Sequence, residues 1–298
     1  MIGFELIWQR VDTGSISTHV YHGESPFMPT LHNPIAFSIG PLDVRWYALF
    51  ILSGMIFGIG LSYWLAARRG LDPDFLLDMA PWIVLIGIVG ARFYYVLLKA
   101  DFYIDHPMEA INVRLGGLTI HGAIVAGVAT MIVLCRMHNE PFFRWADVMV
   151  PGLALGQALG RWGNWANQEA FGTPTTLPWA VHIDPSRRPP GYEQFATFHP
   201  TFIYESIFNL INAIVLAWLV LHIPKLRWAR AGDVAWIYLI AYGLVRFAIE
   251  SDRTDSLYIG PLPAAYWFSF ALSGTGIVMI VLRRTLLAFP EDDKVATT

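Results

Sequence analysis

The sequence predicts an all-α polytopic membrane protein of about seven transmembrane helices, with the N-terminus outside and the C-terminus inside. Three observations predict it. Hydrophobic residues fill 55% of the 298 positions and charged residues 14%, with a mean hydropathy of +0.47, which leaves too little polar surface to cover a soluble globule. Apolar runs recur at lengths near the about 20 residues that cross ~30 Å of hydrocarbon. Arginines and lysines cluster in alternate connections, as the positive-inside bias requires.

Residues 1–45 mix polar and apolar side chains, include Pro26, Pro29, Pro34 and Pro41, and lack the basic and apolar regions of a cleavable signal. They read as a retained, interfacial N-terminal arm. The apolar runs follow at roughly 46–67, 79–98, 115–137, 145–162, 201–223, 233–250 and 264–282, the fourth and sixth being short with polar residues at one end. Arg68 and Arg69, Arg136 and Arg144, Lys225, Arg227 and Arg230, and Arg283 and Arg284 all fall on one side, the cytoplasmic one. Arg10, Arg45, Lys99, Arg114, Arg187, Arg188 and Arg253 fall on the other, spread over longer loops and offset by acidic residues such as Asp101, Asp105, Glu109, Asp252 and Asp255. The longest loop, 163–200, is Pro-rich and has room for a small periplasmic head between spans four and five. The whole chain, 1–298, reads as a single membrane-embedded domain without an internal repeat. A net charge of −3 excludes a polybasic footprint, so no nucleic-acid partner is expected. The lone cysteine, Cys135, excludes an internal disulfide and any cysteine-built metal site.

The chain is organised around 160–172, GRWGNWANQEAFG, which puts an arginine, two asparagines and a glutamate where the fourth run leaves the membrane. Lipid cannot solvate such groups, so they need partners or a ligand; close packing at the glycines and interfacial anchoring by tryptophan are the plainer readings. His121, in LGGLTIHG, is expected about two turns inside span three, either as a packing residue or as a functional one. Tyr242, Arg246 and Glu250 recur every fourth residue on one face of span six, so Arg246 and Glu250 are within ion-pairing distance; a structural pair competes with a functional one. The segment HPTFIYE brings His199, Tyr204 and Glu205 to the head of span five, where Glu205 also suits the positive end of the helix dipole. Arg45, Trp46 and Tyr47 look like an interfacial belt, and Arg92, inside span two, is expected to pair with an acid from a neighbouring span. No HExxH, no phosphate-binding glycine loop and no Cys/His quartet is present, and a GxSG serine-protease site finds little support.

Taken together these motifs resemble the bacterial prolipoprotein diacylglyceryl transferases. GRWGNWANQEAFG is similar to that family's GRxGNxxNxExxG, HPTFIYE to its HPTQLYE, and GGLTIHG, YGLVRFAIESDR, SIGPLDVRWYAL and segment 90–95 follow in the family's order over 38–255. The departures are Trp162 and Trp165 inside the signature, Phe202 and Ile203 in place of Gln-Leu, Ala123 where a second glycine is common, and a longer N-terminal arm. The resemblance implies transfer of the diacylglyceryl group of phosphatidylglycerol to the lipobox cysteine of a preprolipoprotein, in the bacterial cytoplasmic membrane with the site toward the outer face. It carries the essential histidine onto His121, the span-six residues onto Tyr242, Arg246 and Glu250, the aromatic at the head of span one onto Tyr47, and the signature onto Arg161, Asn164, Asn167, Glu169 and Gly172.

For such a reaction the thiol, with a free pKa of about 8.5, must lose its proton, and charge must be stabilised on a leaving phosphate. No cofactor or metal is expected, because the phosphodiester already supplies the leaving group. Arg161 and Arg246 suit phosphate binding through their planar forks. His121 is the candidate base, a tyrosinate-like or substrate-assisted route being equally compatible. Glu250 and Glu169 are expected to orient the arginines, Tyr242 and Tyr47 to bond head group or thiol, and Glu205 to join the lipid-binding set. The rival reading is a polytopic transporter of an anionic solute.

Overall fold

A computed structural model describes residues 28, 30–31, 33–112, 116–222, 226, 229–254, 256 and 258–285. Most of the N-terminal arm, with Arg10, and also Arg114, Lys225, Arg227 and Asp255, lie outside the described residues. The chain is mostly helical. Among the described residues seven helices reach 18 residues or more: α1 (Trp46–Arg68), α2 (Pro73–Leu98), α4 (Ile120–Met137), α5 (Phe142–Asn167), α6 (Thr201–His222), α7 (Asp233–Glu250) and α8 (Ala264–Thr285). A short α3 (Ala100–Asp105) and a 3-10 turn, Pro107–Ile111, fill the connection before α4. Five helices, α1, α2, α4, α6 and α8, are long and apolar enough to cross a bilayer; α5 and α7, which carry most of the polar motifs, are not among them.

The all-α expectation misses three antiparallel two-stranded pairs: β1 (Ile35–Ile39) with β2 (Leu42–Arg45), β3 (Val181–His182) with β4 (Thr197–Phe198), and β5 (Tyr258–Ile259) with β6 (Leu262–Pro263). Strands of two to five residues are too short to leave a period-2 signal in the sequence.

Helix α5 is the hub, packed against α1 and α6 and touching α4 and α7, while α2 pairs with α4 and α7 with α8. Small residues set these crossings. A Cβ on Gly54 or Gly58 of α1 would meet the carbonyl oxygen of Gly156 or Gly152 of α5 at 2.8 Å and 2.6 Å, so the two backbones lie against each other. Helices in lipid gain little from hydrophobic burial, and close backbone approach is what holds them. Tyr47 rests on Gly163, so α1 and α5 run antiparallel. Gly90 against Gly122 and Gly243 against Ser269 and Ser273 fix α2/α4 and α7/α8 in the same way. The heads of α1, α4, α6 and α8 and the ends of α5 and α7 therefore share one end of the bundle.

The opposite end gathers arginines and a polar lattice. Asp147 of α5 accepts from the backbone N–H of Gly232 (2.6 Å) and Ala235 (2.9 Å), capping α7 from another helix because Gly232 has no side chain to do so. Asp233 pairs with Arg284 at 2.9 Å, Arg144 donates to the carbonyl of Arg69, and Arg283 lies buried over the ring of Phe143.

Candidate functional site

The signature does not leave the helix at 162 as the hydropathy implied; α5 continues to Asn167. It stops because Gln168 takes the left-handed conformation (φ 52, ψ 52), and the N–H of Glu169 returns to the carbonyl of Asn164 at 3.0 Å. Glycine usually fills that position. Here the Gln168 side chain holds the turn, donating to Asp184 Oδ2 at 2.7 Å and accepting from the Asp184 N–H at 2.8 Å.

This cap folds the signature onto itself. Glu169 Oε1 accepts from Asn164 (3.0 Å) and Asn167 (3.3 Å), and Asn164 Oδ1 accepts from Arg161 Nη1 at 3.4 Å. Glu169 thus orients the two asparagines rather than an arginine. Tyr47, on Gly163, stands within electrostatic reach of Glu169 and Arg161.

The carboxylate that holds Arg161 is Glu205 of α6, at 2.5 Å. Glu205 is 3% exposed, and its other oxygen takes Arg253 Nη1 at 3.3 Å. Both oxygens are occupied by arginines, so Glu205 holds the two guanidinium groups in place. Arg253 closes the motif YGLVRFAIESDR, but the sequence alone does not place it in the site. Its N–H bonds the carbonyl of Glu250 at 3.2 Å, and Glu250 holds Arg246 at 2.6 Å, the pair that the fourfold spacing predicts. A continuous chain therefore runs Asn164, Arg161, Glu205, Arg253, Glu250, Arg246. Arg246 Nη1 is buried without a hydrogen-bond partner among the described residues. Tyr242, one turn earlier, lies beside Tyr238 of the same helix.

Gly172 explains why these pieces meet. Its N–H bonds the carbonyl of His199, Thr173 N–H bonds that of Asp252, and a Cβ at 172 would come 2.7 Å from the Asp252 carbonyl oxygen. The end of the signature is thereby stapled between the head of α6 and the end of α7, and Gly172 is a packing residue in this arrangement. His199 and Tyr204 bond each other at 3.1 Å, with Trp179 donating to the Tyr204 hydroxyl. Replacing Glu205 with alanine leaves two guanidinium groups without their buried counter-charge, which typically costs about 3–5 kcal/mol. With Arg161 still 24% exposed, the lower end applies. A fall in the thermal unfolding temperature of the detergent-solubilised protein, smaller for Glu205→Gln, is the expected result.

His121 stands apart from this chain. It is the second residue of α4 rather than two turns inside, because Gly116 and Gly117 adopt φ values of 83 and 77 and break the helix before it. Its ring is exposed, 5.3 Å from Phe268 of α8 and 6.5 Å from Tyr94 of α2, and makes no hydrogen bond among the described residues. Arg92 positions the loop that leads to it. Among the described residues no acid meets Arg92, contrary to expectation; it donates to the carbonyls of Glu109, Ala110, Gly116 and Gly117 at 2.7–3.1 Å, between the rings of Tyr95 and Tyr103. A buried cation is satisfied as well by carbonyl dipoles as by a carboxylate when the loop supplies several. Arg92→Met is expected to orphan these oxygens, at about 1–3 kcal/mol per buried group left unpaired. Faster proteolytic cutting within 106–119 measures it.

A sequence model of the prolipoprotein diacylglyceryl transferase family matches residues 34–282. The chain belongs to this family. It is 45% identical over 262 residues to the phosphatidylglycerol–prolipoprotein diacylglyceryl transferase of Synechococcus elongatus, covering 86% of this chain and 91% of that protein. The proteins of the same name from Nostoc sp. and Trichormus variabilis are each 42% identical, over 265 and 257 residues, covering 87% and 85% of this chain and 93% and 89% of theirs. In this transferase-family chain the signature, Glu205 and the Arg246–Glu250 pair form one polar assembly, and His121 lies outside its hydrogen bonds. The chain is a multi-pass membrane protein of the transferase class.

Proposed function

We propose that this chain transfers the diacylglyceryl group of phosphatidylglycerol to the thiol of a lipobox cysteine in preprolipoproteins, acting as one membrane-embedded unit. The thiol gives up its proton and its sulfur bonds to the terminal glycerol carbon. The bond from that carbon to the phosphate oxygen breaks, and glycerol phosphate leaves with the electron pair.

The observation that carries the reading is the state of the two arginines. Each leans on a carboxylate through one nitrogen, Arg161 on Glu205 and Arg246 on Glu250, and each remains 24% or 19% exposed. Arg246 in addition keeps a buried Nη1 without an acceptor among the described residues. A phosphate oxygen satisfies that donor, and held guanidinium forks stabilise the charge that grows on the leaving group. Asn164, Asn167 and Glu169 present amides and a carboxylate to the glycerol head, and Tyr47 and Tyr242 line the approach. His121, whose ring among the described residues meets only aromatic neighbours, takes the thiol proton. A lipid lying between the α2/α4 pair and the polar assembly meets base and arginines from two sides.

Seven spans, N-out and C-in, agree with the grouping of Arg68, Arg69, Arg136, Arg144, Arg230, Arg283 and Arg284 on the connections at the end away from the site. The site then faces outward from the cytoplasmic membrane, with 163–200 as a small periplasmic head. A carrier for an anionic solute needs charges along one path through the membrane depth, whereas the arginine–carboxylate assembly lies at one end of the bundle and the Asp233–Arg284 pair at the other. Membranes holding the protein, incubated with glycerol-labelled phosphatidylglycerol and a lipobox peptide, should yield a thioether-linked product that Cys→Ser in the peptide abolishes. Uptake of an anionic solute without such a product would instead favour the carrier.

A further inference from the structure

The chain contains a short repeat that its overall hydropathy conceals. IGPL stands at 39–42 and again at 259–262, and LSG follows in the same register at 52–54 and 272–274. Each copy builds the same unit, a hairpin turning at a left-handed glycine (Gly40, φ 58; Gly260, φ 65) followed by proline, then a membrane-length helix that starts at the next residue. Glycine at the first central position is what a tight two-residue hairpin turn of this kind requires.

The first hairpin is two-faced. Phe37 opposes Val44 and Ile39 opposes Leu42, and residues two apart share a face, so these four lie on one side. The other side carries Ser38 opposite Asp43, closed by a 2.6 Å hydrogen bond. In the second hairpin Ile259 opposes Leu262. The apolar tips are open: Ile39 is 64% exposed, Leu42 64% and Ile259 62%, and a Cβ at Gly40 or Gly260 would meet nothing within 4 Å. Since α1 packs on α5, α5 touches α7 and α7 packs on α8, the two hairpins stand at the two ends of a row whose middle members carry the polar site.

We propose that the hairpins are paired membrane anchors, each laying its apolar face into the head-group and acyl boundary of the leaflet that the site opens onto, one on either side of the site. The occupant follows from continuity. Neither hairpin is separated by a linker from an apolar helix that crosses the bilayer, and at ~3.4 Å per residue the tips reach at most about 17 Å (first hairpin) and about 10 Å (second) beyond the helix start. Apolar faces held at that depth meet lipid, and an amphipathic element there sinks its apolar side by about 5–10 Å. The anchors would hold the glycerol level of the leaflet against the arginine assembly.

The proposal rests on the membrane reading of α1 and α8 and not on the transfer reaction, so its test needs no activity. In the full chain carrying Cys135→Ala, a polarity-sensitive fluorophore is attached at Ile39→Cys, Ile259→Cys or, as the polar-face control, Ser38→Cys, and the protein is placed in phosphatidylglycerol-containing vesicles. Labels at 39 and 259 should emit at shorter wavelength than the label at 38. They should lose intensity to a nitroxide carried on the lipid near the glycerol level and resist an aqueous quencher. Leu42→Cys and Leu262→Cys should repeat the result if a tip label disturbs its hairpin. Equal access of the aqueous quencher to 38, 39 and 259, with no effect of the lipid-borne nitroxide, would overturn the proposal.

Discussion

Arg246→Lys should lose diacylglyceryl transfer by about 10²–10³-fold although the charge is kept, the size of loss seen when a held transition-state donor is removed. Lysine can still reach Glu250 one turn away, so the helix and its ion pair survive. What goes is the fork: Arg246 spends one nitrogen on Glu250 and keeps Nη1 for a second acceptor, whereas an ammonium is a compact point charge that cannot fix two oxygens in a plane. The loss should appear in kcat/KM with phosphatidylglycerol as donor, while the thermal unfolding temperature stays near that of the parent protein. Near-normal transfer by the lysine variant would remove Arg246 from the phosphate site.

His121→Ala should lower transfer by about 10²–10⁴-fold, the range for a general base. Because the His121 ring bonds none of the arginines or carboxylates among the described residues, its removal should leave the polar assembly, and so lipid binding, intact. The expected signature is therefore a variant that still retains phosphatidylglycerol on purification and transfers almost nothing. Its residual rate should rise with pH as the peptide thiol ionises unaided. A pH profile unchanged from the parent would assign the proton transfer to another group.

These two predictions depend on different layers of the sequence. Arg246 and Glu250 were legible because an i, i+4 pair is fixed by helix geometry alone. The long helices were legible from hydropathy, and Arg161, Asn164 and Asn167 from their crowding at a helix end. The supports of these residues were not. Glu205 meets Arg161 across 44 positions, and nothing local in HPTFIYE says that its carboxylate is shared by two arginines. Hydropathy ends the helix under the signature too early because its last turn is polar, and the true stop, Gln168, takes a conformation usually filled by glycine. His121 was read too deep because the apolar run begins before Gly116 and Gly117, whose left-handed backbones start the helix late. Arg92 was matched to an acid because carbonyl oxygens from a loop leave no trace in composition. The hairpins leave no signal in the sequence because two to five residues of strand carry no periodicity.

In the proposed reaction Arg161 and Arg246, reached from α5 and α7, hold the phosphate of one lipid. A structure of the protein with phosphatidylglycerol bound tests it most directly. One phosphate is expected, with its oxygens within hydrogen-bonding distance of both guanidinium groups and its glycerol carbon turned toward the side of His121. A phosphate bound by only one of the arginines, or a head group seated at the opposite end of the bundle, would contradict it.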